Sequence, residues 1–229
     1  MSGVGVPAAV VVEPVQAEGG VYEAPVAWLR GLRELCTAHD ILLLCDEVQT
    51  GCGRTGPFFA FQRAGVIPDL VTVSKSIGGY GLPLSLLLVR PHLDAWAPGE
   101  HNGTFRANQL ALVAGAAALR LRTALDLEAA VGRHERWLRD WLPRAARAVH
   151  PGLEVRGVGL LWGVDLTRCG GGPAAADASR RCFDAGLVVE RVGRGDAVLK
   201  ILPPLTIPPE VLEEGCRILL AATAAALAT

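Results

Sequence analysis

An α/β fold with a mainly parallel sheet, followed by a smaller α+β domain, is what this chain of 229 residues predicts. Three observations carry the prediction. In the first half, apolar runs of strand length alternate with segments of helical period, the pattern of β-α-β units. From about Pro151 the texture changes to short strands with fewer helical stretches. The length itself suits two domains slightly better than one, since domains commonly run to about 100–200 residues.

The elements follow in order. Residues 8–12 form an apolar run bounded by Pro7 and Pro14, and residues 41–45 (I-L-L-L-C) form a second, each too short for a helix. Between them, Trp28, Leu29, Leu32, Leu35 and Cys36 recur at helical spacing, which completes one β-α-β crossover. A strand at 69–74 leads to Lys75. The next apolar run, 84–89, follows a loop too short to hold a helix, so its strand is expected to return antiparallel. Residues 108–121 are rich in Ala and Leu and predict a helix; 127–149 predict a charged amphipathic helix interrupted at Pro143. Beyond it come a glycine-jointed hairpin over 153–166, a flexible loop at 170–173 and a helix over 174–185. Strands at 188–191 and 198–202 precede a closing helix at 209–227, started by Pro208-Pro209. The expected domains are 1–122 and 151–229, with 123–150 as a connecting helix.

Composition narrows the function. A hydrophobic fraction of 51% with 20% charged residues predicts a folded core. A formal charge of −1 without a dense Lys/Arg run argues against a nucleic-acid partner, because phosphate contacts need a basic face. No apolar run reaches the roughly 18 residues of a membrane helix and no signal-peptide pattern opens the chain, so a cytoplasmic protein acting on small molecules is expected. The six cysteines lack metal-ligand spacing and are expected to be free thiols.

Two residues point to a chemistry. Lys75 ends one apolar run, in T-V-S-K-S, and Asp46 ends another, in D-E-V-Q. An amine able to form a Schiff base and a carboxylate able to hold a pyridinium nitrogen are the minimal equipment for pyridoxal phosphate chemistry. Alone, each has a plainer reading, a surface lysine and a helix-capping aspartate.

Their company decides between the readings. E-P-V-Q-A-E-G-G (13–20), D-E-V-Q-T-G-C-G-R-T-G (46–56), P-D-L-V-T-V-S-K-S (68–76) and N-G-T-F-R-A-N-Q-L-A (102–111) occur in this order. The ordered set resembles the class III aminotransferases, pyridoxal-phosphate enzymes of fold type I, over almost the whole chain. With G-G-Y-G-L-P (78–83) and P-G-E-H-N-G-T-F-R (98–106), it is most similar to the diaminobutyrate:2-oxoglutarate group. The implied fold is part of a fold type I large domain plus a small C-terminal α+β domain.

The resemblance also implies roles. Lys75 would hold pyridoxal 5′-phosphate and later shuttle a proton, while Asp46 would keep the ring nitrogen protonated. Val48 would pack on the ring and Gln49 would bond its phenolic oxygen, although a valine there also reads simply as core. Thr104 would reach the cofactor phosphate of a neighbouring subunit in a homodimer. Glu13 and Glu18 invite a paired-carboxylate reading. In similar enzymes the second glutamate pairs with an arginine before P-P-L, opening to admit the 2-oxoglutarate carboxylate. Here that position is Lys200, a point charge without arginine's bidentate fork. Lys200 reads equally as a solubilising charge on an edge strand.

Relatives of this class carry an N-terminal segment, with a phosphate-cradling loop and a ring-stacking aromatic, that is not visible before Val10. Two function classes are therefore expected to compete. One is transamination of a terminal amino group between a 2,4-diaminobutyrate-like diamino acid and 2-oxoglutarate or glutamate, with a complementing chain or homodimer partner. The other is a non-catalytic remnant of the same fold; an aminomutase of the class would reuse the same lysine.

Overall fold

The computed structural model describes residues 5–228. They divide into two compact units that interleave along the chain. Unit 1 takes the chain up to Pro14, then Ala24–Gly53 and Pro57–Asp126; unit 2 takes Val15–Glu23, Arg54–Gly56 and everything from Leu127. The expected connecting helix is thus part of unit 2, and two short pieces of the first half belong there as well. Residues 1–4 of the segment before the first strand lie outside the described residues.

The chain opens with β1 (Ala9–Val12), a two-strand ribbon of β2 (Val15–Gln16) and β3 (Tyr22–Glu23), α1 (Val26–Ala38) and β4 (Leu42–Asp46). In unit 1, β1 and β4 run parallel with α1 as the crossover, Ala9 facing Leu42 and Val12 facing Cys45. The next strand, β5 (Leu70–Val73), is parallel to β4, and β6 (Leu86–Val89) returns antiparallel to β5, giving the order β1-β4-β5-β6. One face of this sheet is closed. Leu43, Cys45, Val71 and Val73 are buried there in one cluster with Leu29 and Cys36 of α1. Asp69 pins the helix down, accepting from Arg33 Nη1 at 2.6 Å and from Leu43 N–H at 2.8 Å. Elsewhere the sheet is less covered: Val11 is 65% exposed, and the edge strand β6 exposes Leu86, Leu87 and Leu88, on both of its faces.

Unit 1 closes with α2 (Gln109–Ala124), whose start is set by Asn108, the side chain of which accepts from Leu110 N–H and Ala111 N–H. Gly115 lets this helix approach the Lys75–Gly78 turn, since a Cβ there would meet Ile77 O at 2.8 Å and Leu84 Cδ2 at 2.7 Å. Few α2 side chains are covered. Leu110, Val113 and Leu121 are all more than half exposed.

Unit 2 is an antiparallel sheet backed by three helices. Its elements are α3 (Leu127–Val149), β7 (Glu154–Val158), β8 (Leu161–Asp165), α4 (Gly171–Asp184), β9 (Glu190–Val192), β10 (Val198–Ile201) and α5 (Pro209–Leu227). The strand order is β7-β8-β10-β9. Every residue of β8 is buried because both faces are covered. Trp162 and Val164 sit in the helix-side core, and Gly163 meets Val21, beside β3 of the short ribbon. Arg156 fastens that ribbon, donating to Gly20 O at 2.8 Å and pairing with Asp165 at 2.9 Å.

Two sequence expectations change here. The helix α3 runs unbroken through Pro143, because Val131, Leu138, Leu142 and Ala146 are fully buried along one stripe on both sides of it. Packing outweighs the roughly 3 kcal/mol that an interior proline costs a helix. The 170–173 stretch is no loop: Gly171 begins α4. All six cysteines are free thiols and buried, Cys36, Cys45 and Cys52 in unit 1 and Cys169, Cys182 and Cys216 in unit 2. Among the described residues no helix is long and apolar enough to cross a membrane.

Candidate active site

In open α/β sheets, ligands bind beyond the carboxyl ends of the parallel strands, where strand tips and following loops converge. In unit 1 these tips carry the residues singled out by the sequence. Glu13 follows β1 and is exposed, Asp46 is the last residue of β4, and Lys75 lies two residues beyond β5. The register sets Asp46 opposite Thr72, so Asp46 and Lys75 leave the same edge of two adjacent strands.

Asp46 is half-buried, and its Oδ1 accepts from Val48 N–H at 2.9 Å. That bond turns the chain sharply after the strand and leaves Val48 and Gln49 half-buried just past it. Lys75 is exposed and opens a 3-10 turn with φ of 52°. A non-glycine residue in the left-handed region is costly, and such residues gather where a site needs a side chain aimed in one direction.

Behind Asp46 lies a residue the sequence reading passed over. Glu47 is fully buried, its N–H donating to Thr72 O at 3.0 Å. One carboxylate oxygen accepts from Phe61 N–H at 3.0 Å and the other from the Thr50 hydroxyl at 2.5 Å. Burial pushes its carboxyl above the usual range, against the opposing effect of those hydrogen bonds. Glu47 therefore ties the Val48–Gln49 turn to the 60–64 turn from the covered side of the sheet. Only the second letter of D-E-V-Q hinted at this.

An open groove of about 1440 Å³ lies in unit 1, lined among others by Val48, Thr72, Ser74, Leu87 and Phe105. Thr104 is exposed between two of its lining residues, Gly103 and Phe105. The Thr72 hydroxyl is buried without a hydrogen-bond partner, on the residue directly opposite Asp46 in the β4–β5 register. Of the residues predicted for the site, Val48 lines this groove and Asp46, Gln49 and Lys75 do not; a pyridine aldehyde fits the set at the strand ends. It would find a carboxylate for a protonated ring nitrogen, an amine for the aldehyde, an apolar side chain for a ring face and an unsatisfied hydroxyl beside them.

The remaining candidates lie in unit 2. Lys200 is not on an edge strand: β10 runs between β8 and β9, and the Lys200 side chain is only 1% exposed. Its ammonium pairs with Glu18, in the turn joining β2 to β3, as the sequence suggested. A second carboxylate was not foreseen. Glu190 sits directly across from Lys200 in the β9–β10 pairing, with Oε2 2.8 Å from Nζ. Glu18 and Glu190 are themselves 61% and 68% exposed. Cross-strand register, invisible without the sheet, is what brings Glu190 to Lys200.

Arg54, within G-C-G-R-T-G, is a further residue the motifs contained without a role. It is buried and donates through Nη1 to Leu160 O at 3.1 Å and Pro203 O at 2.5 Å. It holds the P-P-L segment three residues after Lys200.

Comparison with known proteins places these features in a family. The aminotransferase class-III family model matches residues 6–223. A diaminobutyrate–2-oxoglutarate transaminase of Bordetella parapertussis is 48% identical over 229 residues, covering 99% of this chain and 52% of that protein. Among solved structures, the N-acetylornithine aminotransferase of Stenotrophomonas maltophilia superposes with a TM-score of 0.83 at 38% identity, over 96% of this chain and 57% of the other. The ornithine aminotransferase of Toxoplasma gondii gives a TM-score of 0.87 at 32% identity, over 95% and 51%. The chain spans about half the length of the curated relatives it matches.

Proposed function

The chain belongs to the class III aminotransferases, pyridoxal-phosphate enzymes of fold type I, and from that premise we propose that it carries the lysine-bearing half of a transaminase site. The substrates are a diamino acid resembling 2,4-diaminobutyrate, giving up its terminal amino group, and 2-oxoglutarate as acceptor. The observation that carries this reading is the pair of adjacent parallel strand ends bearing Asp46 and Lys75, with Lys75 held at positive φ.

Pyridoxal 5′-phosphate, when bound, supplies an electron sink for the bond broken at the amine-bearing carbon. The chain's own residues do the rest. Lys75 Nζ would hold the cofactor, and its amine would take the proton from the amine-bearing carbon of the substrate and return it on the other side of the transfer. Asp46 keeps a proton on the ring nitrogen. Val48 would pack on one face of the ring, Gln49 would bond the phenolic oxygen, and Glu13 would add an anion at the same sheet edge for the cationic donor. In unit 2, Glu18 yields Lys200 to a substrate carboxylate.

A partner chain belongs to this reading. The exposed apolar residues of β6 and α2 form surfaces larger than isolated exposed side chains, the mark of a protein interface. A second copy, or a chain supplying the rest of the fold, would cover them, and Thr104 would contact the partner's cofactor phosphate.

The test is spectroscopic and chemical. Adding pyridoxal 5′-phosphate to the purified chain should give a long-wavelength absorbance band, and borohydride reduction should fix a pyridoxyl group on the peptide containing Lys75. Label on Lys200, the chain's other lysine, or a band unchanged in Lys75→Ala, would refute the assignment. Turnover with 2,4-diaminobutyrate and 2-oxoglutarate in the presence and absence of a complementing chain then separates an active enzyme from a non-catalytic scaffold.

A further inference from the structure

Thr72 holds a polar atom where the sheet has no use for one. Its hydroxyl is buried and has no hydrogen-bond partner among the described residues. A buried hydroxyl in that state is destabilising, and valine would fill the same space without the oxygen. Nearly all buried polar atoms in folded proteins are paired, so an orphan points to a use outside folding.

Register limits the groups that can satisfy it. Thr72 stands opposite Asp46 in the parallel β4–β5 pairing and opposite Leu87 in the antiparallel β5–β6 pairing, so the three side chains form one row on the same face of the sheet. Leu87 offers no acceptor. Asp46 does: its Oδ1 accepts from Val48 N–H at 2.9 Å, and no other donor reaches its carboxylate among the described residues. Thr72 lines the groove, yet its hydroxyl is closed off from solvent. A molecule entering the groove would therefore meet the rest of the Thr72 side chain and engage the hydroxyl through Asp46.

We propose that Thr72 is a positioning residue for Asp46: when a protonated ring nitrogen engages the second oxygen of Asp46, the Thr72 hydroxyl turns to donate to the same carboxylate and holds it in that orientation. The proposal rests on the transaminase reading in taking Asp46 as the partner of the ring nitrogen; it involves no step at Lys75. In the structure the carboxylate is anchored at one oxygen by its own loop. The hydroxyl adds an anchor from the neighbouring strand, and a further donor keeps the carboxylate ionised to lower pH. The other ionisable groups near this edge are Glu13, Glu47 and Lys75, with Asp94, His101 and Arg106 lining the groove, and all are left in place by the substitutions below.

The probe is pyridoxamine 5′-phosphate, which carries the ring nitrogen but no aldehyde, so its binding to the full chain forms no bond to a lysine. Binding is followed by fluorescence from neutral pH into the acid range. Thr72→Val should bind the probe about tenfold more weakly than wild type, the scale of one charge-assisted hydrogen bond, and should lose it at a higher pH on the acid side. Thr72→Ser, which keeps the hydroxyl, should recover both the affinity and the pH profile, a result that packing alone would not give. A second measurement needs no probe: Thr72→Val should unfold at a higher urea concentration than wild type, because the orphaned hydroxyl is gone. Equal affinity and pH profile in wild type and Thr72→Val, a lower urea midpoint in that variant, or no binding of the probe by wild type overturns the proposal. The two readings fail separately. Borohydride label on Lys75 with an unmoved probe affinity in Thr72→Val refutes the role of Thr72 alone, and a weakened probe without label on Lys75 refutes the role of the lysine alone.

Discussion

Replacing Gly159 with alanine would set a methyl group 2.2 Å from Arg54 O and 2.6 Å from Thr55 Cα. Both are backbone atoms, so no side-chain rotation relieves the overlap. Gly159 joins β7 to β8 at φ of 57°, and the added Cβ alone costs about 1–2 kcal/mol in that left-handed region. The larger part comes from separation. Leu160 N–H donates to Arg54 O at 2.9 Å and Arg54 Nη1 donates to Leu160 O at 3.1 Å. Pushing the 54–56 segment away breaks both bonds, one of them to a buried guanidinium whose pKa burial already lowers to about 10. The total expected is about 4 kcal/mol. Gly186→Ala provides the control, since Gly186 has φ of 85° and nothing within 4 Å of the Cβ position, leaving only the conformational cost of about 1 kcal/mol. Urea unfolding followed by tryptophan fluorescence measures both, with Trp137, Trp141 and Trp162 reporting on unit 2. Equal destabilisation by the two variants would refute the close-approach argument.

Three further outcomes are expected. Glu47→Gln keeps both bonds, accepting from Phe61 N–H and donating to Thr50; it should remove a slope seen in wild type. The raised carboxyl of Glu47 makes folding most favourable below the ordinary glutamate range, an advantage lost as pH rises through its folded value, so the variant should be the more stable protein at pH 8. Asp69→Asn should act the opposite way. Burial opposes its charge, but Arg33, Leu43 N–H and Arg90 outweigh it and hold its pKa below the usual range. Its contribution, about 2 kcal/mol from charge-assisted hydrogen bonding, is therefore present at neutral pH and lost as pH falls through the folded value, and denaturation at pH 7 and pH 3 should show the variant's deficit shrinking. Lys200→Met keeps the buried stem and should raise the KM for 2-oxoglutarate in the active protein about tenfold or more. An unchanged KM there would remove Lys200 from carboxylate recognition.

Much of unit 1 could be read from the chain because its signals are local. Strand-length runs ending in Asp46 and just before Lys75, the Ala/Leu-rich stretch of α2 and, in unit 2, the Pro208-Pro209 start of the last helix each depend on neighbouring residues. What escaped depends on partners distant in sequence. The two-residue strands β2 and β3 have too few positions to show a period, and Arg54–Gly56 join unit 2 through contacts with Gly159, Leu160 and Pro203, all distant in sequence. Pro143 misled because propensity is local while the stripe from Val131 to Ala146 is held by tertiary packing. The assignment of Lys200 needed the sheet order. As an edge residue it would be a solvated charge, and as an interior residue across from Glu190 it is half of an ion pair.

The buried thiols offer a clock for local opening. Burial raises Cys45 and Cys216 to about 12 and Cys52 to about 11, so at pH 8 the reactive thiolate of a residue at about 12 is suppressed roughly thousandfold relative to an ordinary cysteine. Alkylation of the native protein must then wait for transient exposure. Cys45 and Cys52 report openings of unit 1 and Cys216 those of unit 2. Peptide-resolved labelling rates would therefore time the breathing of each unit separately, without introducing a probe, and ligand protection could be assigned to one unit or the other.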